Sequence, residues 1–124
     1  MSKKILVIED EEHFRDALDE ILTGVGYEVE KPPFLASAVG KCLSGIYDLI
    51  TLDLKMPGID GVQIAGLLNT KGIKTPVLVI SGYLDNGIIG ELEAAGVHHF
   101  LDKPAGVREV VAAVKKALNN SVGN

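Results

Sequence analysis

The sequence has little cysteine, few aromatic residues and no tryptophan. Its single cysteine, Cys42, excludes an intramolecular disulfide and a cysteine-ligated zinc cluster, so the fold does not require an oxidising compartment. Of the 124 residues, 47% are hydrophobic and 23% are charged, a composition typical of one globular domain. A chain of this length buries about two-thirds of the surface that its unfolded form exposes, so it can form a hydrophobic core unaided.

Long hydrophobic runs are also missing. The first apolar stretch, residues 5–8, is followed at once by acidic side chains, and it is too short for a signal peptide or a membrane span. We therefore expect a cytoplasmic protein that is not inserted into a membrane.

Basic residues are outnumbered, with twelve against seventeen acidic residues and a formal net charge of −5. The excess of acid lies in the first thirty residues, which hold nine acidic and three basic side chains. The absence of a basic patch argues against direct binding of nucleic acid. An acidic end of the chain is better suited to binding a cation.

Five short runs alternate with segments of helical periodicity. We predict strands in these runs, at residues 5–8, 27–30, 49–52, 77–80 and 99–101. Continuously apolar runs are typical of strands covered on both faces, as in a parallel sheet. The run at 27–30 alternates apolar residues with glutamate, which predicts an edge strand.

Apolar residues spaced three and four apart predict helices between the strands. Three stripes are clear: Phe14, Ala17, Leu18, Ile21 and Leu22; Leu35, Ala38, Val39, Cys42 and Leu43; and Val107, Val110, Val111, Val114 and Leu118. The patterns at 62–68 and 85–95 are weaker because they contain glycines, each costing about 1 kcal/mol relative to alanine. We expect the helix at 85–95 to be short or mobile, and the Cys42 thiol to be buried without a redox role.

This alternation predicts a single α/β domain with a parallel sheet and right-handed crossovers. The domain spans residues 1–124, with a core at about 3–118 and a loose tail at 119–124.

Polar and charged residues follow four of the predicted strands. Glu9 and Asp10 follow the first strand, Asp53 the third, Ser81 the fourth and Lys103 the fifth. Ligands of open parallel sheets bind at the carboxyl ends of the strands, so these side chains are expected to converge there.

The converging residue types suit phosphoryl chemistry. Clustered carboxylates repel one another unless a hard cation such as Mg²⁺ lies between them. A lysine offers a compact cation for a phosphoryl oxygen, and the hydroxyl of Ser81 can donate a hydrogen bond to another. A carboxylate can itself act as a nucleophile and form an acyl phosphate, and Asp53 is the best placed to do so.

Four motifs at strand ends, in this sequence order, carry a resemblance to a known family. They are Ile8-Glu9-Asp10-Glu11, Asp53-Leu54-Lys55-Met56-Pro57-Gly58, Ser81-Gly82-Tyr83 and Phe100-Leu101-Asp102-Lys103-Pro104. Together they resemble the response-regulator receiver domain of two-component signal transduction. The resemblance implies a flavodoxin-like, CheY-like fold: one doubly wound, five-stranded parallel sheet in the order 2-1-3-4-5, with five helices.

The resemblance also implies a role for the acidic residues at the ends of the first and third strands. Asp53 would accept a phosphoryl group from a sensor histidine kinase or a phosphotransfer protein. Mg²⁺ would be held by Glu9, Asp10, Asp53 and the main-chain carbonyl of Lys55. The pair Glu9-Asp10 stands where many members of the family have two aspartates, and it keeps both charges.

Further implied roles concern the response to phosphorylation. Ser81 and Lys103 would contact the phosphoryl oxygens, and Ser81 and Phe100 would switch position together. The bond between Lys103 and Pro104 is a candidate for the cis form. The switch would change a surface formed by the fourth helix, fifth strand and fifth helix, read by a downstream effector protein or a fused output domain.

Three other functions compete with this interpretation. A phosphatase with an aspartate nucleophile usually has a second aspartate two residues further on, where this sequence has Lys55, so we expect no enzyme acting on external substrates. A flavin-binding protein would need a phosphate-binding loop where the acidic residues 9–12 lie. A docking module of the same fold that works without phosphorylation stays open, as does the choice between a stand-alone regulator and a piece of a longer one.

Overall fold

The computed structural model describes residues 2–32 and 35–122; for residues 35 and 120–122 only the backbone is described. The elements in chain order are β1 (Lys4–Ile8), α1 (Glu12–Val25), β2 (Glu28–Glu30), α2 (Leu35–Leu43), β3 (Leu49–Leu52), β4 (Lys55–Met56), β5 (Ile59–Asp60), α3 (Gly61–Thr70), β6 (Val77–Ser81), α4 (Asn86–Ala94), β7 (His99–Asp102) and α5 (Val107–Val122).

Five of these strands form one parallel sheet in the order β2-β1-β3-β6-β7. Counting only these five strands, the order is 2-1-3-4-5, so the predicted fold is confirmed. The strand β2 lies at one edge of the sheet, as its alternating pattern predicts. The central strands β1, β3 and β6 are buried almost completely because helices cover both faces of the sheet.

Successive side chains of each strand point to opposite faces, and they form two apolar layers. Along β1, Ile5 and Val7 pack with α1 and α5, whereas Leu6 and Ile8 pack with α2, α3 and α4. The thiol of Cys42 lies in the second of these layers and is buried, as predicted.

The short strands β4 and β5 form an antiparallel hairpin that the sequence pattern does not predict. Two residues per strand are too few to show a periodicity, so the segment 55–60 lies outside the predicted strands and helices. The turn passes through Gly58, whose φ of 75° is a conformation that glycine adopts without strain. The hairpin returns the chain to the sheet, where the Gly61 N–H donates to the carbonyl of Leu54 at 3.0 Å.

Helix α4 has the expected length, whereas α5 is longer than expected. α4 is short, as expected, and begins at a cap in which Asp85 Oδ1 accepts from the Ile88 N–H at 2.8 Å. α5 continues to Val122, although the sequence predicts a loose tail from residue 119. Asparagine is only a modest helix breaker, and residues 119–122 include neither glycine nor proline, so the helix can extend past residue 118. Among the described residues, no helix combines the length and hydrophobicity of a membrane span.

Candidate functional site

The carboxyl edge of the sheet collects the polar residues that follow the strands. Glu9 lies directly after β1, Asp53 after β3 and Lys103 after β7, while Ser81 is the last residue of β6. The side chains of Glu9, Asp53 and Ser81 are buried, although two of them are acidic. Charged groups are buried in proteins only when partners compensate them, so the contacts of each decide what the edge can do.

Three carboxylates form one cluster. Glu9, Asp10 and Asp53 each offer an oxygen, and these oxygens all lie within 4.8 Å of one another. The ammonium group of Lys103 lies against two of them, with Nζ 2.7 Å from Glu9 Oε1 and 3.3 Å from Asp53 Oδ2. A single lysine leaves the cluster with an excess of negative charge. The arrangement therefore favours a further cation, and carboxylate oxygens are the donors that Mg²⁺ prefers.

Asp53 is fixed by its own backbone neighbours. Its Oδ1 accepts from the N–H of Leu54 at 2.8 Å, and its backbone N–H donates to the carbonyl of Ile8 at 3.1 Å. These bonds use one carboxylate oxygen. The other, Oδ2, lies towards Lys103.

Gly61 is part of the site although sequence reasoning does not identify it. A Cβ atom on Gly61 would lie 2.5 Å from the carbonyl oxygen of Asp53 and 2.8 Å from Cα of Leu54. Both neighbours are backbone atoms, which cannot move aside as the end of a flexible side chain would. The backbone of α3 therefore approaches the end of β3 so closely that only glycine fits.

Glu9 is held by two further contacts and by burial. Its Oε2 accepts from the N–H of Glu11 at 3.0 Å, and Arg15 Nη1 donates to its carbonyl at 3.3 Å. Burial raises the pKa of Glu9, as does the charge of Asp53, although Lys103 and the Glu11 N–H act in the opposite direction. Burial also acts to lower the pKa of Lys103, but the hydrogen bonds and charges of Glu9 and Asp53 outweigh it and raise that pKa.

Ser81 is completely buried and lies next to the backbone of Lys103. Its Oγ accepts from the Tyr83 N–H at 3.1 Å, and its carbonyl accepts from the backbone N–H of Lys103 at 3.0 Å. The hydroxyl acts only as an acceptor among the described residues, so its hydrogen is available for donation. The Lys103–Pro104 peptide bond is cis, as the resemblance implies.

Two lysines of the site lie over aromatic rings. Lys103 Nζ is 4.6 Å from the ring centroid of Phe14, a residue of α1. Lys55 Nζ is 4.9 Å from the ring centroid of Tyr83, which is 56% exposed. Distances of this size are within the range of cation–π attraction. Sequence analysis predicts neither pair, because nothing in the spacing of these residues indicates that they are neighbours.

The side chains of Lys55 and Phe100 are not among the carboxylates of the cluster. Lys55 begins the β4–β5 hairpin two residues after Asp53, and its side chain is exposed. Phe100 lies in β7, is half-buried and packs against the apolar layer beneath α4.

Comparison with known proteins agrees with this geometry. The sequence model of the family described as "Response regulator receiver domain" matches residues 5–115. The chain is 33% identical over 118 residues to the transcriptional regulatory protein ResD of Bacillus subtilis (strain 168), covering 95% of this chain and 49% of that protein. It thus spans about half the length of that relative. It is also 29% identical to sporulation initiation phosphotransferase F of the same organism, covering 95% of each chain.

The fold has close counterparts among solved structures. The crystal structure of a response regulator receiver domain protein (CheY-like) from Methanospirillum hungatei JF-1 matches with a TM-score of 0.90. The match covers 99% of this chain and 98% of that one at 22% sequence identity, and it supports the fold.

Proposed function

The chain belongs to the response regulator receiver domain family of two-component signalling, and from this premise we propose that Asp53 accepts a phosphoryl group in a reaction that requires Mg²⁺. One observation supports the proposal above all others. Asp53, two further carboxylates and the Lys103 ammonium group meet at the carboxyl edge of the sheet, with Lys103 Nζ 3.3 Å from Asp53 Oδ2.

In the proposed reaction, a carboxylate oxygen of Asp53 attacks the phosphorus atom of a phosphohistidine on the partner. A new O–P bond forms, the N–P bond breaks, and the imidazole that leaves takes up a proton from water. The product is an acyl phosphate on Asp53, the type of intermediate that carboxylate nucleophiles form. Lys103 then offsets the added negative charge by contacting a phosphoryl oxygen.

The donor set at the edge fits Mg²⁺. Glu9, Asp10, Asp53 and the main-chain carbonyl of Lys55 would hold the ion, all through oxygen atoms. When bound, Mg²⁺ offsets negative charge on the carboxylates and on the phosphoryl oxygens. The residues themselves limit water and orient the acceptor, because Glu9 and Asp53 are buried and each is anchored to a backbone N–H.

Ser81 and Phe100 would transmit the change to the surface. The hydroxyl of Ser81 has a hydrogen free to donate among the described residues, and a phosphoryl oxygen offers the acceptor. Movement of Ser81 would pull on the end of β6. The adjacent strand β7 contains Phe100, which pairs with Val79 of β6. The packing of Phe100 beneath α4 would change in response, so the surface of α4, β7 and α5 would report phosphorylation.

The partners follow from this function. A sensor histidine kinase or a phosphotransfer protein would supply the phosphoryl group, and an effector protein or a fused output domain would read the altered surface. We take residues 1–124 as one receiver domain, acting in the cytoplasm as a signalling domain rather than as an enzyme with external substrates. The relative called a phosphotransferase, matched along 95% of its length, supports a role in phosphoryl transfer.

The test is intact-mass measurement after incubation with acetyl phosphate, in Mg²⁺ and in EDTA. We expect the wild type to gain the mass of one phosphoryl group in Mg²⁺ only, and Asp53→Asn to gain none. Asp102→Asn is the matched control, because Asp102 lies at the same edge of the sheet but is exposed and outside the carboxylate cluster. It should be phosphorylated like the wild type.

An adduct on Asp53→Asn, or one that forms equally in EDTA, would contradict the proposal. Absence of an adduct on the wild type, with no perturbation by Mg²⁺ or by the phosphoryl mimic beryllofluoride, would favour the phosphorylation-independent docking module. Beryllofluoride separates that result from an adduct that hydrolyses before it can be measured.

A further inference from the structure

We propose that Phe14 is a positioning residue for the phosphoryl reaction, because its ring holds the Lys103 ammonium group at the acceptor site through a cation–π contact. This inference rests on the proposed phosphoacceptor function. It adds a residue of α1 that lies outside the four motifs carrying the family resemblance.

The first argument is the environment of the ammonium group. Lys103 Nζ contacts Glu9, Asp53 and the face of the Phe14 ring, and the lysine side chain is 22% exposed. A partly desolvated cation interacts more strongly with an aromatic face than a solvated one does. The ring is fixed in turn, since Phe14 packs against the apolar layer formed with α1 and α5.

The second argument concerns what the other two contacts do during the reaction. Asp53 is the proposed acceptor, so its free oxygen is converted to an acyl phosphate. Glu9 is a proposed ligand of Mg²⁺, so with the ion bound its carboxylate would be shared between the metal and the lysine. Among the described contacts of Lys103 Nζ, the ring of Phe14 is the one that takes no part in the chemistry.

The third argument is the flexibility of lysine. Its side chain has four rotatable bonds, and fixing them carries a substantial entropic cost. A ring that persists through the reaction keeps the ammonium group near the phosphorus when the carboxylates are engaged with the phosphoryl group and the metal. An aliphatic side chain of similar size would fill the same space but would not attract the cation.

The test compares Phe14→Leu with Phe14→Tyr. We expect phosphorylation of Phe14→Leu by acetyl phosphate in Mg²⁺ to be slower by a factor of roughly 3 to 30, the range corresponding to loss of a cation–π contact. Phe14→Tyr keeps the aromatic face and should stay within about twofold of the wild type. Tyr27→Leu is the matched control, because Tyr27 packs against the same layer and no cation lies over its ring among the described contacts.

A graded version separates attraction from packing. Site-specific replacement of Phe14 by mono-, di- and trifluorophenylalanine weakens the negative face of the ring stepwise with little change in shape. We expect the logarithm of the phosphorylation rate to fall with each fluorine while the free energy of unfolding stays constant. A purely structural ring would leave the rate unchanged along the series.

A second readout does not depend on phosphorylation. In NMR spectra without phosphodonor, the ε-methylene protons of Lys103 should show a ring-current shift that disappears in Phe14→Leu and persists in Tyr27→Leu. Unchanged Lys103 signals in Phe14→Leu, or an unchanged phosphorylation rate in that variant, would overturn the inference. If the wild type forms no adduct and beryllofluoride does not perturb it, the proposed function fails, and so does the positioning role of Phe14, even where the ring-current shift shows the contact.

Discussion

Two regions of the molecule each bury one polar side chain. One region is the carboxyl edge of the sheet, and the other is the apolar layer beneath α1 and α5. Thr51 and Asp53 are two residues apart, and both are buried. The hydroxyl of Thr51 lies between the strand neighbours Val7 and Leu78 and finds no hydrogen-bond partner among the described residues. The carboxylate of Asp53 has the Leu54 N–H and the Lys103 ammonium group as partners.

The difference teaches what distinguishes a site from a buried polar residue. Burial alone does not mark function, because Thr51 is buried more completely than Asp53. What marks the edge is convergence: backbone donors, a cation and further carboxylates reach the same point from separate strands. Such an arrangement includes like charges that repel one another, so it is costly to stability, and the Mg²⁺ proposed above would offset that cost.

The largest expected effect comes from breaking the close approach of backbone at the edge. Gly61→Ala should lower the free energy of unfolding by about 3 kcal/mol, because the added Cβ meets the backbone of Asp53 and Leu54 at less than 3 Å. Gly66→Ala, in the same helix, is the control. Nothing lies within 4 Å of a Cβ there, so it should raise that free energy by up to about 1 kcal/mol.

Urea unfolding followed by circular dichroism measures both variants. Equal effects of the two substitutions would contradict the view that the edge is packed backbone against backbone. A drop for Gly61→Ala that is accompanied by slower phosphorylation would link this packing to the position of Asp53.

A smaller effect is expected from compensating the charges at the edge. Mg²⁺ at ten times its dissociation constant should raise the free energy of unfolding by about 1.4 kcal/mol, because the proposed carboxylate site exists in the folded chain only. Asp53→Asn should lose most of this gain, and Thr51→Val should keep it. Thermal unfolding with Mg²⁺ and with EDTA gives the comparison, and a gain of equal size in Asp53→Asn would exclude the carboxylate cluster as the binding site.

Removing the unpartnered hydroxyl of Thr51 should stabilise the protein, whereas Gly61→Ala at the carboxyl edge should destabilise it. Thr51→Val replaces a buried hydroxyl with a methyl group of similar size, so we expect the free energy of unfolding to rise by about 1 kcal/mol. Phosphorylation should proceed at the wild-type rate. Destabilisation by this substitution would mean that the hydroxyl has a partner, for instance a buried water molecule, and would weaken the contrast with Asp53.

Much of this contrast could be predicted from the sequence. The strands and helices follow from apolar periodicity, and the polar residues at the strand ends identify Glu9, Asp53 and Lys103 as neighbours, because parallel strands bring their carboxyl ends to one edge. Those side chains do meet in the structure.

Other features depend on tertiary contacts that leave no periodic signal. The hairpin of β4 and β5 is too short to show a pattern, and the tight approach at Gly61 is set by the angle at which α3 meets β3. The contact of Phe14 with Lys103 joins residues from opposite ends of the chain. Phe14 belongs to the apolar stripe of its helix, so the sequence alone indicates core packing and gives no reason to place it beside a cation.

The smallest effect on the free energy of unfolding at neutral pH is expected for the buried thiol of Cys42. Burial raises the pKa of Cys42 from its usual value near 9 to about 11. At neutral pH the thiol is protonated in the folded and unfolded chains alike, so it contributes no pH dependence there. Between pH 9 and 11 only the unfolded chain loses the proton, and the free energy of unfolding should fall as the pH rises. Urea unfolding of the wild type and of Cys42→Ala across this pH range separates the contribution of the thiol from that of other titrating groups. The free energy of unfolding should fall more in the wild type than in Cys42→Ala. Equal losses, or rapid reaction of the folded protein with a thiol reagent at pH 8, would mean that this layer admits water and charge as the carboxyl edge does.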